Sequence, residues 1–169
     1  MSPIFELSAA VRARRSDMGL TQMALAALSG LSRATVNQVE KRTIKDLSLT
    51  RAARMLEVLG LSMSIASPRP GFPPVKKEKS SALDIAARTA SVSYKTSIGA
   101  DDLRRVLIAS ALPPAFLPHI YALLDEAPVS LLASVVEQLH QEDGVERAWV
   151  WKKMRLLAQR LKSLREIWR

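Results

Sequence analysis

Two long polar side chains flank small ones in the segment SRATVNQVE, which begins at Ser32. The side chains of Arg33 and Gln38 are long enough to hydrogen-bond guanine or adenine in the major groove of DNA. Ala34 and Thr35 lie between them and are small, so the backbone can come close to the base edges. These residue types predict direct readout of double-stranded DNA.

The longer segment TQMALAALSGLSRATVNQVEKR, which begins at Thr21, predicts the element that positions these side chains. Two short helices packed at a steep angle need a small residue, a tight glycine turn and apolar residues that plug the space between them. Ala26, Gly30, Val36 and Val39 occur at the required positions. The remaining face of the second helix is then exposed, short and flat.

No other residues have the types and spacing that catalysis or metal binding needs. The chain has no cysteine, which excludes disulfides and thiolate metal sites, and two histidines are too few for a zinc site without several carboxylates. Neither His119 nor His140 has a serine nucleophile arrangement beside it, and no glycine-rich phosphate loop occurs. We therefore expect no enzyme activity, no cofactor and no metal, with both histidines at ordinary core or surface positions.

The net charge of +9 favours a polyanionic partner, although ribosomal, membrane-surface and other soluble proteins are also basic. Basic residues outnumber acidic ones by 9 to 5 in residues 1–67 and by 8 to 1 in residues 147–169. Acidic residues predominate by 9 to 4 in residues 81–146. The middle of the chain is therefore not expected to touch phosphates.

The chain shows no pattern typical of export or membrane insertion. Residues 1–15 lack an uninterrupted apolar stretch followed by a small-residue cleavage site. No run approaches the roughly 18 apolar residues of a membrane span. We expect a cytoplasmic protein.

Apolar periodicity and capping residues predict four short helices in the N-terminal part. They are expected at about Phe5–Met18, from Thr21 to just before Gly30, from Ser32 to about Glu40, and at Ser48–Leu59. The next segment, LSMSIA, alternates apolar and polar residues and so has the period of a strand, with Leu61, Met63 and Ile65 on one side. A lone strand needs a partner, and the simplest is the same strand of a second copy across a two-fold axis. The alternative is an extended segment packed on its own domain.

The sequence SPRPGFPPVKKEKSS, from Ser67 to Ser81, predicts a domain boundary. Its prolines favour an extended, semi-rigid spacer that holds the two halves apart. The predicted organisation is a DNA-binding domain at residues 1–67, a Pro-rich linker at residues 68–80 and a helical domain for partner binding or oligomerisation at residues 81–169. The fold class is all-α, with one short dimerising β-strand.

The C-terminal half shows five helical patterns, at about residues 81–92, 100–112, 114–126, 128–143 and 146–167. The last pattern carries apolar residues at alternating spacings of four and three, which is typical of a stripe that packs on other helices. The stripe consists of Val150, Met154, Leu157, Leu161, Leu164 and Trp168. The stripe packs on its own domain, in a second dimer contact, or against another protein. The basic residues on the rest of this helix are either solvated or bound to DNA. Tyr94, Trp149 and Trp151 are either core residues or the lining of a small-molecule pocket.

Residues 5–60, with the Thr-Gln start, the Gly30 turn and the plugs Val36 and Val39, resemble the helix-turn-helix of the lambdoid phage repressor and Cro family, also called the Xre family. The resemblance implies that Gln22 hydrogen-bonds a DNA phosphate and that the third helix enters the major groove. The implied DNA-facing residues are Arg33, Ala34, Thr35, Asn37 and Gln38. Glu40 is expected to be structural, and Arg12, Arg14, Arg15 and Lys45 are candidates for phosphate contacts. Lys41 and Arg42 replace a glycine that is common in the family, so the following loop is expected to take a different path and to add phosphate contacts.

The ending LEVLGL followed by SMSIAS resembles the HipB-like antitoxins, in which this strand pairs across the dimer. That resemblance implies a homodimer on a palindromic operator and, as a further partner, a cognate toxin. Two functions remain open: an autoregulatory repressor that is the antitoxin of a toxin-antitoxin pair, and a phage or mobile-element regulator whose C-terminal domain oligomerises. An enzyme with a DNA-binding appendage is not favoured, because the C-terminal half lacks a recognisable catalytic set.

Overall fold

The computed structural model of the chain describes residues 3–64, 81–109 and 112–169. Within these ranges all regular secondary structure is helical. The α-helices are α1 (Pro3–Asp17), α2 (Gln22–Ser29), α3 (Arg33–Glu40), α4 (Leu49–Val58), α5 (Ala82–Ser91), α6 (Ala100–Ile108), α7 (Leu117–Glu126), α8 (Val129–Asp143) and α9 (Arg147–Arg160). Two short 3-10 helices lie at Pro114–Phe116 and Glu166–Trp168. The predicted all-α class is confirmed.

The predicted capping residues start the helices of the DNA-binding half. The Thr21 hydroxyl accepts a hydrogen bond from the backbone N–H of Ala24 at 3.0 Å, and the Ser32 hydroxyl accepts one from Thr35 at 3.0 Å. Each bond satisfies one of the N–H groups that the first turn of a helix leaves unpaired. Gly30 ends α2 with a φ of 66°, and this left-handed conformation makes the sharp turn into α3.

The strand predicted from Leu61 onward is not confirmed. Residues 61–64 have no regular secondary structure, and Ile65 and Ala66 lie outside the described residues. The backbone N–H of Leu61 donates to the carbonyl of Leu56 at 2.8 Å, so it closes the end of α4 rather than a strand ladder. The Leu61 side chain packs against the core, whereas Met63 is 55% exposed.

The C-terminal half is a helical bundle around α5. This helix packs against α6, α7 and α8, and α9 packs against the same three helices. The largest side chains at its centre include Leu83, Leu103, Leu123, Leu132 and Trp151, all fully buried. The linker predicted at residues 68–80 lies outside the described residues.

The expectation that the two halves are held apart is wrong. Helix α1 packs against α9, α4 against α8, and α2 against the 3-10 helix Glu166–Trp168. The buried apolar residues of both halves form one continuous cluster. Burial of apolar surface between α1 and α9 and between α4 and α8 joins the two halves.

The last helix is shorter than predicted. It ends at Arg160, and Lys162 adopts a left-handed φ of 58° that turns the chain away. Val150, Met154 and Leu157 are buried on the chain's own bundle, but Leu164 is 74% exposed. The turn brings Trp168 to 6.3 Å from Trp151, measured between ring centroids.

None of the described helices is by itself both long enough and apolar enough to cross a bilayer. One pair, Pro114–Glu126 with Val129–Asp143, passes that test only when the two are taken together, and it is bent by 117°.

Candidate nucleic-acid interface

The exposed face of α3 is the centre of the candidate interface. Val36 and Val39 are completely buried and fix the opposite face of this helix in the core. Ala34, Gln38 and Lys41 are exposed, and Asn37 is partly exposed. These four residues have the spacing i, i+3, i+4 and i+7, which places them in one row along a helix. Arg33 begins the helix and is also exposed.

Thr35 differs from the other predicted DNA-facing residues. Its hydroxyl lies 2.8 Å from the hydroxyl of Ser32, and its backbone N–H is capped by the same Ser32 oxygen. The side chain is only partly exposed. Thr35 therefore contributes to the N-terminal cap of α3.

A buried carboxylate joins the three helices of this region. Arg15 on α1 donates two hydrogen bonds to the carboxylate of Glu40 on α3, from Nε at 2.5 Å and from Nη2 at 3.1 Å. Gln22, at the start of α2, donates from Nε2 to Glu40 Oε2 at 2.9 Å. Arg15 also donates to the carbonyl of Leu20 at 2.7 Å, in the loop between α1 and α2. The network fixes α3 relative to the start of α2.

Glu40 remains ionised in this setting. Burial opposes the charged form of the carboxyl group, but the hydrogen bonds from Arg15 and Gln22 outweigh it, so the pKa of Glu40 lies below its usual value. The negative charge in turn holds the Arg15 guanidinium inside the domain. Arg15 was a candidate for a phosphate contact, and the structure places it in this internal ion pair. The sequence alone does not predict the pairing of Arg15 with Glu40, because the two residues are 25 positions apart.

This geometry agrees with the comparison with known families: residues 11–65 match a family model described as Helix-turn-helix. The match supports the resemblance of this segment to the Xre/Cro family. The match covers the second half of α1 and all of α2, α3 and α4, and it supports a DNA-binding transcription regulator. None of the curated proteins and none of the solved structures matches the chain.

The helix-turn-helix ends its third helix without glycine. Arg42 has a left-handed φ of 61°, its N–H donates to the carbonyl of Val39, and the N–H of Thr43 donates to the carbonyl of Gln38 at 2.9 Å. This pair of hydrogen bonds is the one usually made around a C-terminal glycine. The Arg42 guanidinium carbon lies 4.6 Å from the ring centroid of Phe5, so the side chain covers an aromatic ring of α1.

Basic side chains line a cleft between α1 and α3 of the helix-turn-helix. The cleft is bordered by Ser8, Ala9, Arg12, Glu40, Lys41 and Arg42. Arg12, Lys41 and Arg42 are exposed, and so is Lys45 in the following loop. The cleft therefore presents three positive charges beside the exposed face of α3.

Arg14 is placed differently from the other candidates for phosphate contacts. It is half-buried between the helix-turn-helix and the C-terminal bundle, and burial lowers the pKa of its guanidinium against the attraction of Asp17 and Glu137. Arg14 thus belongs to the contact between the two halves.

The aromatic residues outside the helix-turn-helix do not share one pocket. Tyr94 packs against His119 at 4.9 Å between ring centroids, Trp151 packs against Trp168, and Trp149 is 40% exposed. His119 is buried with Nε2 at 2.8 Å from the carbonyl of Thr96. No group of three or more His, Cys, Asp or Glu side chains that could hold a metal ion occurs in the part of the chain that the structure describes.

Proposed function

We propose that this protein is a sequence-specific transcriptional repressor that binds double-stranded DNA by placing α3 in the major groove. The observation that carries the proposal is the division of α3 into two faces. Val36 and Val39 are fully buried, while Arg33, Ala34 and Gln38 are exposed. An exposed row with small residues and two long hydrogen-bonding side chains suits direct readout of base edges.

Groups suited to phosphate binding lie on either side of α3 and support this orientation. The N-terminus of α2 has backbone N–H groups without helical partners, which attract phosphates. Gln22 uses one of its two amide hydrogens on Glu40, and the other is free to donate to a phosphate oxygen. Lys41 and Arg42 supply charge on the other side, at the end of α3. Such contacts fix the register on the duplex and leave sequence discrimination to Arg33, Asn37 and Gln38.

We further propose that the protein binds a palindromic operator as a homodimer. One helix-turn-helix makes a small interface, and two copies related by a two-fold axis double it. Leu61, Met63 and Ile65 remain our candidates for the contact between the copies. Met63 and Leu49, which is 69% exposed, border an apolar groove of about 850 Å³ beside residues 61–63. Exposed apolar side chains at a groove are typical of an interface.

In this proposal the C-terminal half binds a second partner, a cognate toxin. The chain is then an autoregulatory antitoxin that acts in the cytoplasm. The support is the sequence resemblance at residues 47–66. Co-expression with the product of a neighbouring gene tests this role. A stable complex on gel filtration is expected, and failure to recover one would favour the phage or mobile-element regulator, with assembly on DNA that is lost when residues 81–169 are removed.

Binding of the full-length protein to its own promoter tests the recognition helix. Arg33→Ala with Gln38→Ala is expected to abolish the preference for promoter over unrelated DNA and to leave weak, salt-sensitive binding. Arg88→Ala with Gln141→Ala, two exposed residues of the same types in the C-terminal half, is the matched control and keeps the preference. An unchanged preference in the α3 variant would show that another surface recognises the sequence.

Sedimentation equilibrium tests the dimer. Met63→Glu places a charge in the proposed contact and is expected to give a monomer with reduced promoter affinity. The control is Glu57→Gln at the border of the same groove. This substitution also changes the net charge by one unit, but it places no charge in the proposed contact. A dimer that withstands Met63→Glu would place the contact elsewhere.

A further inference from the structure

The solvent-facing side of α9 carries basic residues that the fold does not use. Val150, Met154 and Leu157 bury the opposite side of this helix in the bundle. Lys152 and Arg160 are exposed, and Lys153 is partly exposed. None of these three cations has an ion-pair partner among the described residues. We call Lys152, Lys153 and Arg160 the α9 basic face.

The neighbouring arginines of this region are engaged inside the protein. Arg147 donates two hydrogen bonds to Glu137, each at 2.8 Å. Arg165 donates to the carbonyl of Ala127 at 2.6 Å. Residues 147–169 carry eight basic residues and one acidic one. The α9 basic face consists of the cations within α9 that make no such internal contact, and the exposed Lys162 and Arg169 lie beyond the end of the helix.

A specific contact ties α9 to the end of the helix-turn-helix that we expect to lie on phosphates. Arg155 Nη2 donates to the carbonyl of Met18 at 2.7 Å, and Nη1 lies 3.5 Å from the carbonyl of Gly19. Gly19 is two residues before Thr21, the cap of α2. Lys152 precedes Arg155 by three positions, so their Cβ atoms are about 5–6 Å apart on the helix surface. Lys152 is therefore a surface neighbour of the residue that contacts the loop before α2.

The contact between the two halves keeps this arrangement in place. A second approach, between Gly60 and the carbonyl of Val129, joins α4 to α8. With the contact between α2 and the 3-10 helix Glu166–Trp168, the bundle is attached to the helix-turn-helix at three separate places. The α9 basic face is consequently presented at one fixed position relative to α3.

We propose that the α9 basic face binds backbone phosphates of the DNA that flanks the half-site contacted by α3. This inference rests on the proposed function, and it gives the C-terminal bundle a direct part in DNA binding. The contacts add affinity without base discrimination, because phosphates carry no sequence information. Each phosphate neutralised by a lysine or arginine releases condensed counterions and steepens the salt dependence of binding.

The test uses full-length protein in which Lys152, Lys153 and Arg160 are all replaced by Gln. The matched control replaces Arg88, Lys95 and Arg105, three exposed cations of the same bundle, by Gln and loses the same charge. Dissociation constants are measured by fluorescence anisotropy over a salt series, on promoter duplex and on unrelated duplex of equal length. Circular dichroism and urea unfolding establish that both variants fold like the wild type.

We expect the α9 variant to bind both duplexes more weakly by the same factor, roughly tenfold, with a salt slope smaller by about 2–3, as loss of up to three phosphate contacts requires. The control keeps the wild-type slope. Wild-type binding with an unchanged slope in the α9 variant would overturn this inference, leave the α3 proposal intact, and indicate that the face fits an acidic protein. Equal effects in variant and control would also overturn it, since net charge alone would explain them. A wild type that binds neither duplex would refute the proposed function itself.

Discussion

Gly60 at the end of α4 and Val129 at the start of α8 approach so closely that a Cβ on Gly60 would lie 2.7 Å from the Val129 carbonyl oxygen. The neighbouring atom belongs to the backbone, so a rotamer change cannot relieve the clash. Gly60 also has a φ of 63°, which L side chains rarely adopt. This one glycine therefore serves both the end of a helix and the contact between the two halves of the protein.

Gly60→Ala is expected to destabilise the protein by more than the cost of placing an alanine in the left-handed conformation. The conformation costs about 1–2 kcal/mol and the forced separation from Val129 about 1–3 kcal/mol more. Gly30→Ala is the matched control, since Gly30 has a φ of 66° and nothing within 4 Å of the added Cβ. Urea unfolding of both variants measures the difference. Equal losses would mean that the contact between α4 and α8 contributes no stability.

Arg15→Met is expected to lower the free energy of unfolding by about 3 kcal/mol at neutral pH, because it leaves the carboxylate of Glu40 buried without its main partner. Gln22→Ala removes one hydrogen bond to the same carboxylate and should cost about 1 kcal/mol. Chemical unfolding at pH 7 and at about pH 4 distinguishes charge from packing.

The loss in Arg15→Met should shrink on acidification. In the wild type the pKa of Glu40 is lowered, so the network contributes stability above the usual carboxyl pKa and loses it as the pH falls through the lowered one. In the variant, Glu40 takes up a proton more readily and the buried charge disappears. An equal loss of unfolding free energy at both pH values would show that the Met side chain destabilises the protein through its packing rather than through the buried charge of Glu40.

Glu137 should contribute to the acid sensitivity of the bundle. Hydrogen bonds from Arg147 outweigh burial and lower the pKa of Glu137 to about 2. Its stabilisation is therefore complete above about pH 4.5 and is lost as the pH falls toward 2. Glu137→Gln should lower stability at neutral pH by about 0.5–1 kcal/mol, since the pair is partly solvated, and should flatten the acid limb of the stability curve. Glu126→Gln, at an exposed residue of α7, is expected to leave that limb unchanged.

Lys162→Gly is expected to stabilise the protein by about 1 kcal/mol. Lys162 has a φ of 58°, its N–H donates to the carbonyl of Gln159, and the N–H of Ser163 donates to the carbonyl of Ala158, a turn that favours glycine. Lys152→Gly, in the exposed middle of α9, should instead cost about 1 kcal/mol. Thermal unfolding of both variants tests whether the two changes in stability have opposite signs. A less stable Lys162→Gly variant would mean that the lysine side chain makes a contact that stabilises the protein by more than the backbone strain destabilises it.

Local features of the fold were predictable from the sequence by itself. The caps at Thr21 and Ser32, the turn at Gly30 and the burial of Val36 and Val39 depend on residues within about four positions of one another. Hydrogen bonds and apolar periodicity at that range determine where a helix begins, where it ends and which face it buries. For this reason the sequence alone predicts which face of α3 is exposed.

The tertiary structure alone decided which distant surfaces meet. Arg15 reaches Glu40 over 25 positions, and Arg155 reaches Met18 over 137. Neither pairing leaves a trace in local spacing. The same holds for the error at α9: its apolar period continues to Trp168, but the helix ends at Arg160, which lets Trp168 pack on Trp151. Burial of apolar surface and pairing of buried charge depend on the whole chain. They overrode the helical pattern at the end of the chain and brought together two halves that were expected to be held apart.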